Sequence, residues 1–189
     1  MTTDMTIAEA QRDVRTVFVG GFAGQLVSSC IWFVSAAAAT WQSPKFAIEV
    51  LVILGIFVFP LTLLLLRLMG GPAGLPKGHP MNALGMQVAF VLPLSLPLAF
   101  AAAAYHEFWF YPAVMIVLGA HYLPFIFMYG MWQFGALAAA LLGSGVVIGL
   151  YFPSIFSLGA WLTAAILLIF AFVGRSVALS ERESSRQRQ

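Results

Sequence analysis

Six apolar stretches of about twenty residues constrain this chain more than any other feature of its sequence. They lie near residues 16–39, 46–68, 82–104, 109–130, 132–152 and 155–174. A helix needs about 20 apolar residues to cross the hydrocarbon core of a membrane. Every backbone polar group inside that core must be bonded within the protein, which favours helices. We therefore predict an all-α integral membrane protein with six transmembrane helices, here called spans 1 to 6.

The overall composition excludes a soluble globular domain. Hydrophobic residues make up 61% of the 189 residues and charged residues only 8%, whereas soluble domains carry roughly 25% charged residues. Outside the membrane domain at 16–174, residues 1–15 form a polar segment and residues 175–189 a polar tail. We expect the N-terminal segment to be a short amphipathic helix at the membrane surface. The net charge of +2 does not indicate nucleic-acid binding.

The basic residues predict the orientation of the spans. All but Lys45 precede span 1, flank the loop after span 2 or follow span 6. These positions lie on one side of a bundle with an even number of spans, and cytoplasmic loops are enriched in Lys and Arg. We therefore expect both termini in the cytoplasm. Because most loops are short, neighbouring spans should form antiparallel hairpins.

His121 is the most informative polar residue. It lies about twelve residues into span 4, near the middle of the bilayer at 1.5 Å per residue. An ionisable side chain at that depth is costly and by default indicates a functional site. Pro124 leaves the carbonyl of Ala120 without its helical partner, and Gly119 allows close approach of another helix. We therefore predict a kink or gating point at Gly119 and Pro124.

Depth along the helices suggests partners for His121. Gln25 and Ser28 in span 1 and Gln87 in span 3 reach similar levels, and Tyr122 is adjacent in sequence. With His121, these residues form a predicted binding site for a small solute. The alternative is that each polar side chain only bonds one helix to another, as Ser and Gln commonly do in membranes.

Other residues are assigned structural roles. We expect Cys30 to be an inert buried thiol, Asn82 to cap the start of span 3 and His79 to be solvated in its loop. Prolines in spans 2 and 3 should weaken those helices, at Pro60, Pro93 and Pro97. Rows of small residues should let helices pack closely within the chain, at Gly20, Gly24 and Ser28 and at Gly145 and Gly149.

The sequence gives no indication of catalysis or of a cofactor. No spacing of His, Asp and Glu supports a metal site, and the sequence has no phosphate-binding or dinucleotide motif. An intramembrane enzyme is the weakest hypothesis because no nucleophile and base can be named. We therefore expect no catalytic residues, no metal and no cofactor.

Three runs of residues resemble a known family. His79-Pro-Met-Asn-Ala-Leu-Gly85 precedes span 3, Gly119-Ala-His-Tyr-Leu-Pro-Phe125 lies in span 4, and Gly149-Leu-Tyr-Phe152 ends span 5. Together they resemble the DUF7010 family of small bacterial multi-pass membrane proteins of unknown function, over residues 79–152. The chain departs from that pattern in carrying His79 in place of Asn. The resemblance implies a location in the bacterial inner membrane and supplies no activity.

Two hypotheses of function follow. The first is a transporter or channel for a small solute or protons, centred on His121. The alternative is a non-catalytic structural, lipid-binding or partner-binding membrane subunit, in which the polar residues are packing contacts. The expected partners are the lipid bilayer, a small solute or lipid, and a second copy of the chain, but no nucleic acid.

Overall fold

The computed structural model describes residues 5–72, 74–152 and 154–186, and all regular structure in these ranges is helical. The helices are α1 (Ile7–Val17), α2 (Phe22–Trp41), α3 (Pro44–Ile56), α4 (Val58–Leu68), α5 (Met81–Tyr105), α6 (Phe110–Tyr129), α7 (Gln133–Tyr151) and α8 (Leu158–Arg186). Short 3-10 turns at Val19–Gly21 and Glu107–Trp109 precede α2 and α6. Five segments are long and apolar enough to cross a membrane: Val19–Trp41, Met81–Tyr105, Glu107–Tyr129, Gln133–Tyr151 and Leu158–Glu181. The prediction of an all-helical protein with several apolar spans is confirmed.

The predicted span 2 is two helices. α3 and α4 meet at Phe57 with a bend of 54°. Pro60 has no N–H to donate to the carbonyl of Ile56, so the ladder of helical hydrogen bonds is interrupted where the bend occurs. If α3 and α4 together form one broken span, they are the sixth predicted membrane span. The same geometry fits a re-entrant loop.

Four helices form the packed centre of the molecule. α2 packs along α8, α6 packs along α7, and contacts between α7 and α8 join the two pairs. α3 and α4 pack on α2, whereas α5 packs mainly on α6. Only 11% of the apolar window of α5 is buried, the smallest share among the five candidate spans. α5 is therefore a peripheral helix that depends on α6 for its position.

Polar bonds fix α2 against its neighbours. The side chain of Ser35 donates to the carbonyl of Ala47 on α3 over 2.9 Å. The Tyr111 hydroxyl on α6 lies 2.6 Å from the Ser35 hydroxyl, and it must donate because the single Ser35 hydrogen is already used. Ser29 donates to the carbonyl of Ala164 on α8 over 2.8 Å. These bonds satisfy polar groups that lipid cannot satisfy.

Glycines allow the closest contacts between helices. The backbones of Gly20 and Gly174 touch directly. A Cβ atom added at Gly145 would lie 2.9 Å from the carbonyl oxygen of Pro112, and one at Gly149 would lie 3.4 Å from Pro112 Cβ. These positions pack within the chain, as the sequence predicts.

α1 is an amphipathic helix that packs on the bundle. Ala10 and Val14 on its inner face are buried. A capping box defines its start: the Thr6 hydroxyl accepts from the Glu9 N–H over 3.3 Å, and the Glu9 carboxylate accepts from the Thr6 N–H over 2.8 Å. The backbone bond from Thr6, aided by one from its side chain, lowers the pKa of Glu9. Whether α1 also touches the membrane surface stays a prediction.

Three structural assignments made from the sequence are wrong. Cys30 is exposed, because α2 directs the adjacent Ser29 and Ile31 inward. His79 is 7% exposed, not solvated, and its Nδ1 accepts from the Met81 N–H over 3.2 Å. Asn82 lies inside α5, too late to be its cap, and its amide donates to the carbonyl of Pro76 over 2.8 Å. α8 continues as a helix beyond the predicted end of span 6 near residue 174, as far as Arg186.

Candidate functional site

His121 lies where α6 contacts α5. It precedes the last residue of α6, Tyr129, by eight positions, which corresponds to about 12 Å along the helix. Its half-buried ring approaches the backbone carbonyl of Val88 on α5. The ring centroid lies 5.5 Å from that of Tyr122 and 5.2 Å from that of Phe125. His121 therefore joins α5 to an aromatic cluster on α6.

One nitrogen of His121 has no partner. Nδ1 is buried, and it makes no hydrogen bond within the described ranges. A neutral imidazole that donates one N–H to a carbonyl keeps a lone pair on its other nitrogen. Leaving a buried acceptor unpaired costs about 1–3 kcal/mol. This nitrogen therefore marks a place where a hydrogen-bond donor would be stabilised.

The structure places the other predicted site residues at different distances from His121. Tyr122 is buried and contacts its ring directly. Gln25 is buried in a separate cleft, and Ser28 is half-buried on the same helix. Gln87 is on the exposed surface of α5. Among the described ring and hydrogen-bond contacts, His121 thus meets only Tyr122 of the four proposed partners.

Gly119 and Pro124 flank His121 on α6. α6 continues through Pro124 as one helix. A Cβ atom added at Gly119 would lie 2.9 Å from the carbonyl oxygen of Ala138 and 2.8 Å from Leu142 Cγ. Gly119 therefore sets the spacing between α6 and α7, and a gating role for Gly119 and Pro124 stays a prediction.

A pair of unpaired acceptors lies in the cleft that contains Gln25. The Oε1 atoms of Gln25 and Gln133 are both buried without a hydrogen-bond partner in the described part of the chain. Backbone at Gly20 and Gly174 completes the narrow cleft, which does not admit a water molecule. Gln133 was not predicted from the sequence, because a polar residue at the first position of a helix is ordinary.

Phe134 separates this cleft from His121. Its ring lines the cleft beside Gln25. Its centroid also lies 5.4 Å from that of Phe125 and 6.2 Å from that of Tyr122, the two rings that contact His121. The candidate site thus consists of two groups of acceptors with a layer of aromatic rings between them.

α1 supplies hydrogen-bond donors to the end of α6. The amide of Gln11 donates to the carbonyl of Phe127 over 2.6 Å, and the guanidinium of Arg15 donates to the carbonyl of Tyr129. Carbonyls in the last turn of a helix have no partner within that helix. α1 therefore takes the place of water at the end of the helix that carries His121.

Two polar contacts link α1 to other elements. The Asp13 carboxylate lies 3.6 Å from Nε2 of His79, just before α5. Arg15 Nε lies 2.8 Å from the Glu181 carboxylate on α8. The contact between Arg15 and Glu181 places the N-terminal and C-terminal parts of the chain at one end of the bundle. Which side of the membrane this end faces stays a prediction.

Replacing Gln25 with leucine tests whether its amide is unpaired in the membrane. We expect the Gln25→Leu variant to gain about 1 kcal/mol of stability, because an unsatisfied buried acceptor is replaced by an apolar group of similar size. The measurement is the apparent melting temperature in detergent, with the exposed Gln87→Leu as the matched control. A lower melting temperature for Gln25→Leu alone would mean that water or a solute already satisfies the amide.

A wider apolar groove lies between α7 and α8. It encloses about 450 Å³ and is open at the side. Its lining includes Ala139, Gly143 and Ser144 on α7 and Leu158 and Leu162 on α8. His121 does not line it. A groove of this kind fits an acyl chain better than a polar solute, because its surface is almost entirely apolar.

Within the described residues, no group of three or more His, Cys, Asp or Glu side chains could hold a metal ion.

Comparisons with known proteins place the chain in a family. No curated protein and no solved structure matches the chain. One family model, described as a family of unknown function (DUF7010), matches residues 7–175 and extends the resemblance seen at residues 79–152 to α1 and most of α8. The chain therefore belongs to the DUF7010 family.

Proposed function

We propose that this protein transports a small solute that carries hydrogen-bond donors, or a proton, through a site at His121. The observation that carries the proposal is the unpaired Nδ1 of a histidine within an apolar helix long enough to cross a membrane. Lipid offers no donor to such an atom. A hydroxyl, an amine or a proton would supply one.

The cleft at Gln25 and Gln133 supports a second position on the same route. Both amide oxygens are acceptors, as is His121 Nδ1. A route lined by acceptors favours neutral or cationic solutes that donate hydrogen bonds and disfavours anions. Phe134 lies between the two positions, so the arrangement corresponds to a closed state in which aromatic rings must move before a solute passes.

Replacing His121 with phenylalanine tests the proposal. The variant keeps an aromatic ring against Tyr122 and Phe125 but has no nitrogen to accept a hydrogen bond. We expect flux in proteoliposomes to fall by about tenfold or more, the factor that corresponds to one lost hydrogen bond of about 1.4 kcal/mol. The probes are protons, followed with an enclosed pH-sensitive dye, and labelled glycerol and methylammonium.

The matched control is His106→Phe, because His106 is exposed at the end of α5. Its flux should equal that of the unmodified protein. The proposal fails if the unmodified protein moves none of the probes faster than protein-free vesicles do. It also fails if His121→Phe retains full flux at an unchanged melting temperature.

A second candidate function is lipid binding, and the groove between α7 and α8 favours it. Gly143 lines this groove, and a Cβ added there would meet no described atom within 4 Å. A Gly143→Leu variant should therefore fill the groove without disturbing the fold. If the groove holds a lipid, mass spectrometry of the purified protein should show less retained lipid in this variant. Equal lipid in both proteins would contradict this function.

A further inference from the structure

We propose that α1 is a strap that holds α5 against α6 and so closes the His121 site, with Asp13 and Arg15 as its positioning residues. The inference rests on the proposed function, because His121 is the site that the strap would close. It concerns the regulation of access and not the identity of the solute.

α5 needs such a strap because it has few other contacts. It is the least buried of the five candidate spans, and it packs mainly on α6, where Val88 meets His121. At its beginning, the buried His79 accepts from the Met81 N–H. The second nitrogen of His79 has no hydrogen-bond partner in the described part of the chain, and it lies 3.6 Å from the Asp13 carboxylate on α1. One side chain therefore connects α1 to the start of α5.

α1 holds α6 at the same end of the bundle. Gln11 and Arg15 donate to the carbonyls of Phe127 and Tyr129 in the last turn of α6. A Cβ atom at Gly130, which follows this turn, would collide with the Gln11 amide, so α1 lies directly against the end of α6. The two helices that enclose His121 are thus connected through α1 as well as through each other.

Glu181 anchors the strap from outside the site. Its carboxylate lies 2.8 Å from Arg15 Nε and is on α8, which is neither of the helices that enclose His121. Neutralising Glu181 should therefore loosen α1 without changing any side chain at the α5–α6 contact. Glu183, which is exposed two residues further along α8, provides a matched site for the same substitution.

The test measures how readily a thiol at the α5–α6 contact reacts. A Val88→Cys substitution in a Cys30→Ser background places a single, buried cysteine beside His121. The probe is N-ethylmaleimide, which enters membranes, applied to proteoliposomes without any solute. We expect Glu181→Gln to raise the labelling rate about five-fold and Glu183→Gln to leave it unchanged.

A cysteine placed on α2 distinguishes opening of the His121 site from a general loosening of the helix bundle. Ile31→Cys, in the same background, is buried on α2 away from α5 and should label no faster in Glu181→Gln. Asp13→Asn, which acts at the start of α5, should reproduce the selective rise at position 88. The proposal is overturned if neither variant raises labelling at position 88, or if labelling at position 31 rises equally. Because no solute is present, these outcomes are independent of the flux result with His121→Phe.

Discussion

Replacing Tyr111 with alanine should lower the free energy of unfolding by about 4 kcal/mol, as removal of a fully buried aromatic side chain does. Tyr111 has no exposed surface, and its ring packs against those of Trp32 and Phe156, with centroids 5.7 Å and 4.7 Å away. The substitution would also remove the hydroxyl that donates to Ser35. The loss should appear as a fall in the apparent melting temperature of the protein in detergent.

Two comparisons make the Tyr111 result specific. Tyr111→Phe keeps the packing and removes only the hydroxyl, so it should cost about 0.6–1 kcal/mol. Tyr105→Ala, at a position 83% exposed to the surroundings, should change stability by less than about 0.5 kcal/mol. If Tyr111→Ala is no worse than Tyr105→Ala, then the Tyr111 side chain is not a central part of the packed core.

The second large effect is expected for Gly20→Ala. Gly20 has φ 64°, which is left-handed and unfavourable for residues with a Cβ. An added Cβ would also collide with the backbone carbonyl of Gly174 on α8, which cannot move without shifting that helix. Together the backbone strain and the overpacking should cost about 3 kcal/mol.

Glycine positions with free space supply the control for Gly20. A Cβ added at Gly55 would meet no described atom within 4 Å, and Gly55 lies in α3, where alanine is favoured over glycine by about 0.8–1.0 kcal/mol. Gly55→Ala should therefore raise the melting temperature, whereas Gly20→Ala should lower it. A rise of the melting temperature in both variants would show that the Gly20–Gly174 contact is not as close as described.

The positions of the helices could be predicted because a membrane fixes their length and polarity. Approximately twenty apolar residues must be helical in hydrocarbon, whatever they pack against. The interruption near Phe57 agrees with the weakening expected at Pro60, which cannot donate a hydrogen bond, whereas α6 continues through Pro124. These features depend only on residues close together in the sequence.

The candidate site was harder to predict because depth along a helix does not fix rotation about its axis. Gln87 reaches the level expected from counting residues, but α5 turns it to the exposed surface. The ring of Tyr122 contacts that of His121, as two residues adjacent in the sequence readily do. Rotation is decided by packing partners on other helices, and these are unknown until the helices are assembled.

Contacts between residues far apart in the chain could not be predicted from the local sequence around either residue. Arg15 and Glu181 are 166 residues apart, and each alone is an ordinary charged residue near a chain end. The sequence therefore predicted an amphipathic α1 but not its bonds to α6 and α8. Gln133 was not predicted for the same reason: it is a candidate site residue only because Gln25 lies in the same cleft.

The pairing of α2 with α8 has a consequence for biosynthesis. Ser29 on α2 bonds to Ala164 on α8, 135 residues later in the chain. At roughly 5–20 residues per second, the ribosome needs roughly 7–27 s to make the intervening segment. During that interval the face of α2 that will meet α8 is in contact with lipid or with the insertion machinery. Assembly of the core therefore has to wait until α8 has been translated.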